Sequence, residues 1–134
     1  MGYITTIYGI NYFNTDEWQM TDDFTNALTG ISAVSENVAY ALTGKGQVYK
    51  TMNGGNSFSQ IAQIYTPGGF ADLHFVSEQV GYASIAHNIY QTLDGGVSWK
   101  SVVYSTNTIV EIHFTDANHG WACGEKGTVF IYKK

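Results

Sequence analysis

The sequence contains no arginine. All 6 basic residues are lysines, and the formal net charge is -5. A surface that binds phosphate backbones needs concentrated positive charge, so we expect no nucleic-acid partner. Mechanisms that hold a carboxylate or phosphate with a bidentate guanidinium are also excluded, because only arginine supplies that group.

Cysteine and long apolar runs are also scarce. Cys123 is the single cysteine, so a disulfide framework within the chain is impossible. No stretch approaches about 18 consecutive apolar residues, and the N-terminus lacks the basic start and apolar run of a signal peptide, so we predict no membrane span. Charged residues make up only 13% of the chain and hydrophobic residues 44%, which is typical of a folded domain. The 134 residues favour one domain.

A repeat of about 41 residues organises most of the chain. Three segments alternate between apolar and other residues with period two: Ile31-Ser32-Ala33-Val34, Leu73-His74-Phe75-Val76 and Ile112-His113-Phe114-Thr115. Each is followed, nine residues after its first member, by an aromatic residue and an alanine: Tyr40-Ala41, Tyr82-Ala83 and Trp121-Ala122. An aromatic residue that starts a further polar and apolar stretch also recurs, as Trp18, Phe58 and Trp99.

Each unit contains four short stretches rich in Val, Ile, Tyr, Phe and Thr, separated by Gly, Asn and Ser. Four strands in a period of about 40 residues are typical of a β-propeller blade. We therefore predict an all-β fold of three four-stranded propeller-type units, whose strands are largely apolar on both faces. The predicted boundaries are 1–17 for an N-terminal extra strand or arm and 18–134 for the repeat domain, with units at about 18–52, 53–93 and 94–134.

A turn motif recurs inside the repeats. The segment from Thr92 to Trp99 fits the pattern Ser/Thr-x-Asp-x-Gly-x-Thr/Ser-Trp, and the segment from Thr51 to Phe58 is a degenerate copy. An Asp or Asn side chain accepts hydrogen bonds from turn amides, and Gly tolerates positive φ, so we predict a structural turn. The predicted turn residues are Thr51, Asn53, Gly55, Phe58, Thr92, Asp94, Gly96 and Trp99.

This motif resembles the Asp-box, or BNR, repeat. The segment 112–129 is also similar to the Ycf48-like subgroup, which comprises photosystem II assembly and stability factors and their relatives. The resemblance implies a propeller architecture and no particular chemistry, because Asp-boxes occur in sialidases, other glycosidases, sorting receptors and assembly factors. Sialidases of this kind need an arginine triad, and the assembly factors have a basic, arginine-lined partner surface. Because this chain has no arginine, sialidase chemistry is excluded and we predict that it is not an enzyme. For the same reason we do not carry the assembly factors' partner over to this chain.

Three units are too few for a closed propeller, which has about four to eight blades. The third unit ends after its third strand, whereas Trp18-Gln19-Met20 supplies a surplus fourth strand near the start. We expect a homo-oligomer, favouring a head-to-tail dimer with six blades, in which the Trp18 strand completes the other chain's last blade along Val129, Phe130, Ile131 and Tyr132. A fragment of a longer propeller and an open half-ring docked on another protein are the alternatives.

Candidate ligand contacts lie in the loops that precede each unit's first strand. Phe24, Tyr65 and Tyr104 are aromatic residues suited either to contacts with a protein or glycan ligand or to packing between blades. We interpret His74 and His113 as structural and Cys123 as a small buried residue, and we predict no metal and no cofactor. The predicted function is a non-catalytic binding or assembly scaffold. The alternatives are a glycan-binding lectin and a structural subunit of an extracellular or virion-like assembly.

Overall fold

The computed structural model describes residues 2–6, 9–13, 18–20 and 24–134, the first two ranges as backbone only. Strands β1 (Gly2–Thr6) and β2 (Gly9–Phe13) pair as an antiparallel hairpin. The other strands form three antiparallel sheets, in which every strand pairs with its neighbour in sequence. This meander is the topology of a propeller blade.

The first two sheets have four strands each, and the third has three. Blade 1 consists of β3 (Leu28–Ala33), β4 (Ala39–Thr43), β5 (Gln47–Thr51) and β6 (Ser59–Gln63). Blade 2 consists of β7 (Ala71–Phe75), β8 (Gly81–Ile85), β9 (Asn88–Thr92) and β10 (Lys100–Tyr104). Blade 3 consists of β11 (Ile109–Asp116), β12 (His119–Gly124) and β13 (Val129–Lys133), with a short 3-10 turn at Glu125–Gly127. Each of the first two sheets therefore joins three strands of one sequence repeat to the strand that opens the next repeat.

Two hydrophobic clusters fill the spaces between consecutive blades. One lies between blades 1 and 2 and includes Tyr40, Leu42 and Phe75, while the other lies between blades 2 and 3 and includes Tyr82 and Phe114. All five residues of β8 are buried because it is an inner strand of the middle blade. The expectation that both faces of every strand are largely apolar is wrong for the outer strand β6, which carries Ser59, Gln60 and Gln63. Both outer strands, β6 and β10, are largely exposed.

The joint between two blades is an aromatic stack. The ring of Tyr40 on β4 lies parallel to that of Phe75 on β7, with centroids 3.6 Å apart and an interplanar angle of 5°. At the next joint, Tyr82 on β8 stacks on Phe114 of β11 at 4.4 Å and 16°. The same two repeat positions therefore form both joints.

A hydrogen bond between first strands accompanies each stack. The Phe75 amide donates to Ser32 Oγ at 2.8 Å, and the Ile112 amide donates to Asp72 Oδ2 at 3.0 Å. These amides lie on the side of β7 and β11 that faces away from the rest of the sheet, so a side chain of the preceding blade satisfies them.

The segment Trp18-Gln19-Met20, expected to be a strand, is not one in this chain. A strand needs a hydrogen-bonded neighbour, and no described strand pairs with these residues. Trp18 is fully exposed. Residues 24–27 form the loop that we expected before β3. The described ranges include no helix with the length and apolar character that a membrane crossing requires.

We expect Tyr40→Ala to lower the free energy of unfolding by about 3–5 kcal/mol, because it removes a fully buried ring from the joint. Tyr40→Phe keeps the stack and loses only the 2.8 Å hydrogen bond from Tyr40 Oη to the Glu78 carbonyl, so about 1 kcal/mol is expected. Urea unfolding followed by circular dichroism measures both, with the exposed Tyr65→Ala as the control. Equal losses for Tyr40→Ala and Tyr65→Ala would contradict this account of the joint.

Candidate functional site

The outward face of blade 3 has no described neighbour. Trp121 and Cys123 on β12 are exposed, Trp121 by 49%. The residues at the same repeat positions in the other blades, Tyr40 and Leu42 on β4 and Tyr82 and Ser84 on β8, are at most 6% exposed. The interpretation of Cys123 as a buried residue is therefore wrong, because the blade that would cover it is not among the described residues.

The opposite face of blade 1 is uncovered as well. Ile31 on β3 is 65% exposed, whereas its counterparts Leu73 and Ile112 are 2% and 5% exposed. A groove runs across this face, lined by side chains and backbone that include Ala33, Glu36, Gly54, Gly55 and Phe58. The chain therefore presents two different sheet faces to solvent, one at each end of its row of blades.

The two predicted turn motifs have closely similar hydrogen bonds. Thr92 Oγ1 accepts the Gly96 amide at 2.9 Å, and Asp94 Oδ1 accepts the Ser98 amide at 2.9 Å. In the other copy, Thr51 Oγ1 accepts the Gly55 amide and Asn53 Oδ1 accepts the Ser57 amide, both at 3.0 Å. The hydrogen bonds that Ser98 and Thr92 donate hold the pKa of Asp94 down to about 2. These side chains are therefore occupied in stabilising turns.

The turn of blade 2 also contributes to the joint with blade 1. Gly96 has a φ of 91°, and a Cβ placed there would lie 3.1 Å from Ile61 Cδ1 and 3.5 Å from the rings of Tyr40 and Phe75. Trp99 closes the same space, with its indole N–H donating to the Gly96 carbonyl at 2.8 Å and its ring edge-on to Phe75. In the degenerate copy, Phe58 takes the place of Trp99 and borders the exposed groove of blade 1.

The three candidate loop aromatics have different environments. Phe24 is half-buried and packs edge-on against Tyr49 and Phe58, with centroids 4.9 and 5.3 Å away. Tyr65 is 92% exposed and Tyr104, the last residue of β10, is 70% exposed. Tyr104 borders a groove that also contains Phe70. The structure therefore separates one packed ring from two exposed rings, and of the exposed pair it is Tyr104 that borders the groove with Phe70.

His74 and His113 lie together where blades 2 and 3 meet, with ring centroids 4.8 Å apart. Burial lowers the pKa of His74, and the nearby His113 lowers it further. Within the described ranges, no three His, Cys, Asp or Glu side chains are grouped so that they could hold a metal ion. This pair is a contact between blades.

Three of the described aspartates accept hydrogen bonds within the fold. Asp72 accepts the Ile112 amide, Asp94 holds its turn, and Asp116 contacts His119 Nδ1 at 2.9 Å and accepts the Asn118 amide. Hydrogen bonds from His119 and the Asn118 amide lower the pKa of Asp116. Each of these three acids therefore has a structural partner.

Comparison with solved structures shows the β-propeller fold. A structure of YCF48 bound to D1 peptide superposes with a TM-score of 0.73 at 14% identity, covering 91% of this chain and 42% of that one. YCF48 from Cyanidioschyzon merolae gives 0.73 at 16% identity, covering 92% and 43%. The GH74 enzyme of Niastella koreensis gives 0.64 at 15% identity, covering 85% and 17%. The chain therefore spans less than half the length of each of these proteins.

Neither a protein-family model nor a curated protein matches the sequence. The all-β, propeller-type fold predicted from the repeats is confirmed.

Sequence reasoning missed the exposed position at the start of the row. Ala33 stands where the other repeats have Phe75 and Phe114, and Ile31 is the exposed counterpart of two buried residues. The signal was present in the repeat alignment, since the first repeat has the small Ala33 where the other two have a phenylalanine. Whether such a small residue is exposed depends on which sheet faces are covered, and this is known only once the packing of the blades is known.

We expect the protein to become less stable as the pH is lowered from about 4 to about 2, in part because Asp94 is protonated in this range. Folding lowers the pKa of Asp94 from 3.8 to about 2. Its ionised carboxylate therefore contributes fully to stability above pH 3.8, and this contribution is lost as the pH falls through the pKa of the folded state. Asp94→Asn, which copies Asn53, should retain the turn without this pH dependence. Thermal midpoints between pH 6 and pH 2 are the measurement, and the two curves should converge at low pH. A constant offset between them would contradict the assignment.

Proposed function

We propose that this chain is a non-catalytic, propeller-type binding and assembly scaffold, and that a second copy completes its ring. The ring would have six blades, formed by a head-to-tail dimer. The proposal is carried by one observation: the positions exposed on the two end faces are those that are buried at both internal joints. Two apolar sheet faces exposed to water favour association, and a twofold head-to-tail arrangement covers both with two equal interfaces.

An unfilled cavity supports the exchange of the Trp18 segment. Between blades 2 and 3 the cavity is lined by Tyr82, Val102, Phe114, Phe130 and Tyr132. The counterparts of the first three, at the joint between blades 1 and 2, are Tyr40, Ile61 and Phe75, which surround the turn that carries Gly96 and Trp99. Among the described residues, no fourth strand of blade 3 supplies that turn and ring.

Trp18 occupies the repeat position of Trp99 and is fully exposed. On β13, the edge strand of blade 3, Val129 and Ile131 are 60% and 53% exposed. We propose that residues 18–20 of one copy pair with this edge in the other copy, beside Val129, Phe130, Ile131 and Tyr132, and place Trp18 in the cavity. Pairing would also protect an edge strand whose backbone groups are open to aggregation.

A non-catalytic role is supported by the side chains available. The sequence has no arginine to bind a sugar carboxylate, and Asp72, Asp94 and Asp116 each have a local structural partner. Glycoside hydrolysis needs two carboxylates facing each other across about 5–10 Å with a sugar between them. We further assign the turns at 51–58 and 92–99 to the Asp-box type, which fixes architecture and not chemistry.

We propose a protein or peptide as the ligand of the assembled scaffold. A structure of YCF48 bound to D1 peptide resembles this chain in fold. A glycan is the second candidate, favoured by the exposed rings of Tyr104 and Phe70, which lie in one groove with His87 and Asn88. Aromatic faces beside amide groups suit the stacking and hydrogen bonding of a sugar.

We expect sedimentation velocity at micromolar concentration to give twice the 14.7 kDa mass of one chain. Trp18→Ala should weaken the dimer, because it empties the proposed cavity contact, whereas Tyr65→Ala should leave the mass unchanged. A wild-type monomer across this range would overturn ring closure by a second copy. A dimer unaffected by Trp18→Ala would overturn the exchange of the Trp18 segment.

The two ligand classes are separated by a glycan array. If the lectin function holds, binding should be lost in Tyr104→Ala and retained in Tyr65→Ala, since only Tyr104 borders the groove with Phe70. Absence of binding across the array would remove the lectin and leave the protein-binding scaffold.

A further inference from the structure

We infer that Trp121 of one copy binds on Ala33 of the next, and that this pairing of a large with a small residue directs the last blade of one chain to the first blade of another. The inference rests on the head-to-tail dimer proposed above and specifies the contact that closes it. The partner is a second copy of this chain.

The internal joints define the geometry of the proposed contact. An aromatic residue on the second strand of one blade stacks on a phenylalanine of the first strand of the next, as Tyr40 does on Phe75 and Tyr82 on Phe114. At the ends of the row, Trp121 is the aromatic residue without a following blade and Ala33 is the position without a preceding one. Trp121 is half-exposed, on a strand whose counterparts are buried.

The groove on blade 1 has the lining that surrounds Tyr40 at the internal joint. Tyr40 lies between the Phe75 ring, the Glu78 carbonyl and the turn of Gly95 and Gly96. The groove presents the equivalent repeat positions, which are Ala33, Glu36, Gly54 and Gly55. It is therefore a binding site for an aromatic residue of a preceding blade, and the described residues of this chain include no such blade.

The hydrogen-bonding capacity of tryptophan fits this site. Tyr40 Oη donates to the Glu78 carbonyl at 2.8 Å. Blade 1 has the same turn geometry. The Gly54 amide donates to the Asn37 carbonyl at 3.0 Å, and at the internal joint the Gly95 amide donates to the Gln79 carbonyl at 2.9 Å. The Glu36 carbonyl therefore occupies the place of the Glu78 carbonyl. An indole N–H is a donor only, so Trp121 can make the equivalent bond.

The sizes of the two residues make the contact directional. Ala33 lacks the ring that Phe75 and Phe114 provide, which leaves depth for an indole larger than a tyrosine ring. Two first blades facing each other would leave a void between two alanines, and two last blades would bring two indoles together without a groove. Only the head-to-tail pairing matches large with small, so the contact discriminates against both symmetric alternatives.

The test measures the dimer dissociation constant by sedimentation for Trp121→Ala and for Ala33→Trp. Each should weaken the dimer at least about tenfold, because one removes the ring and the other fills its site. The matched control, Tyr65→Ala, removes an aromatic side chain outside both end faces and should change the constant by less than about twofold. Circular dichroism of each variant shows whether it is folded.

A compensating variant keeps the test informative if a single variant is destabilised. Trp121→Tyr with Ala33→Phe recreates the internal stack at the closing contact and should restore dimerisation that Trp121→Tyr or Ala33→Phe alone weakens. Mixing Trp121→Ala with Ala33→Trp should also restore part of the dimer, since a head-to-tail pair of these two retains one unaltered interface.

The outcomes separate this inference from the function on which it rests. A monomeric wild-type chain overturns the dimer and the contact together. A wild-type dimer that neither Trp121→Ala nor Ala33→Trp weakens overturns the Trp121 contact and leaves the dimer standing. Weakening by only one of the two variants indicates a symmetric pairing of like ends and overturns the inference, as does equal weakening by Tyr65→Ala.

Discussion

The stack of an aromatic residue on the phenylalanine of the following blade determines much of this structure. Tyr40 on Phe75 and Tyr82 on Phe114 hold three small sheets in a row, and the two hydrophobic clusters form around these pairs. A four-stranded sheet of about 35 residues has too little core to be stable alone. Each blade is therefore stabilised mainly by its neighbours, and uncovered ends follow directly from a row of three.

The turn motif and the stack depend on each other. Gly96 allows the turn to approach the rings of Tyr40 and Phe75 because it has no side chain, and Asp94 with Thr92 holds that turn in place through local hydrogen bonds. Trp99 then covers the remaining space. The motif therefore supports packing between blades. Its aspartate therefore has a role in the turn itself.

Much of the fold could be predicted from the sequence, because the repeat reports both strand positions and the residues that contact the next blade. Period-two segments and aromatic-Ala pairs located β3, β4, β7, β8, β11 and β12. The solvent exposure of individual side chains was harder to predict from the sequence. Cys123 was interpreted as buried by comparison with Leu42 and Ser84, but burial at that position comes from a following blade and not from local sequence. The burial of the loop aromatics was hard to predict for a similar reason. Phe24 packs on Phe58, a residue distant in sequence, whereas Tyr65 and Tyr104 are exposed.

The two ends of the row differ in a way that identical repeats would not show. In a row of equal units, the last tyrosine would match the first phenylalanine, and assembly could continue with any copy. Here the last aromatic is the largest of the three, and the first partner position is the smallest. Neither Trp121 nor Ala33 therefore matches its counterparts in the internal pairs. The proposed closing contact thus differs in chemistry from the internal joints, since it pairs an indole with an alanine where they pair a tyrosine with a phenylalanine.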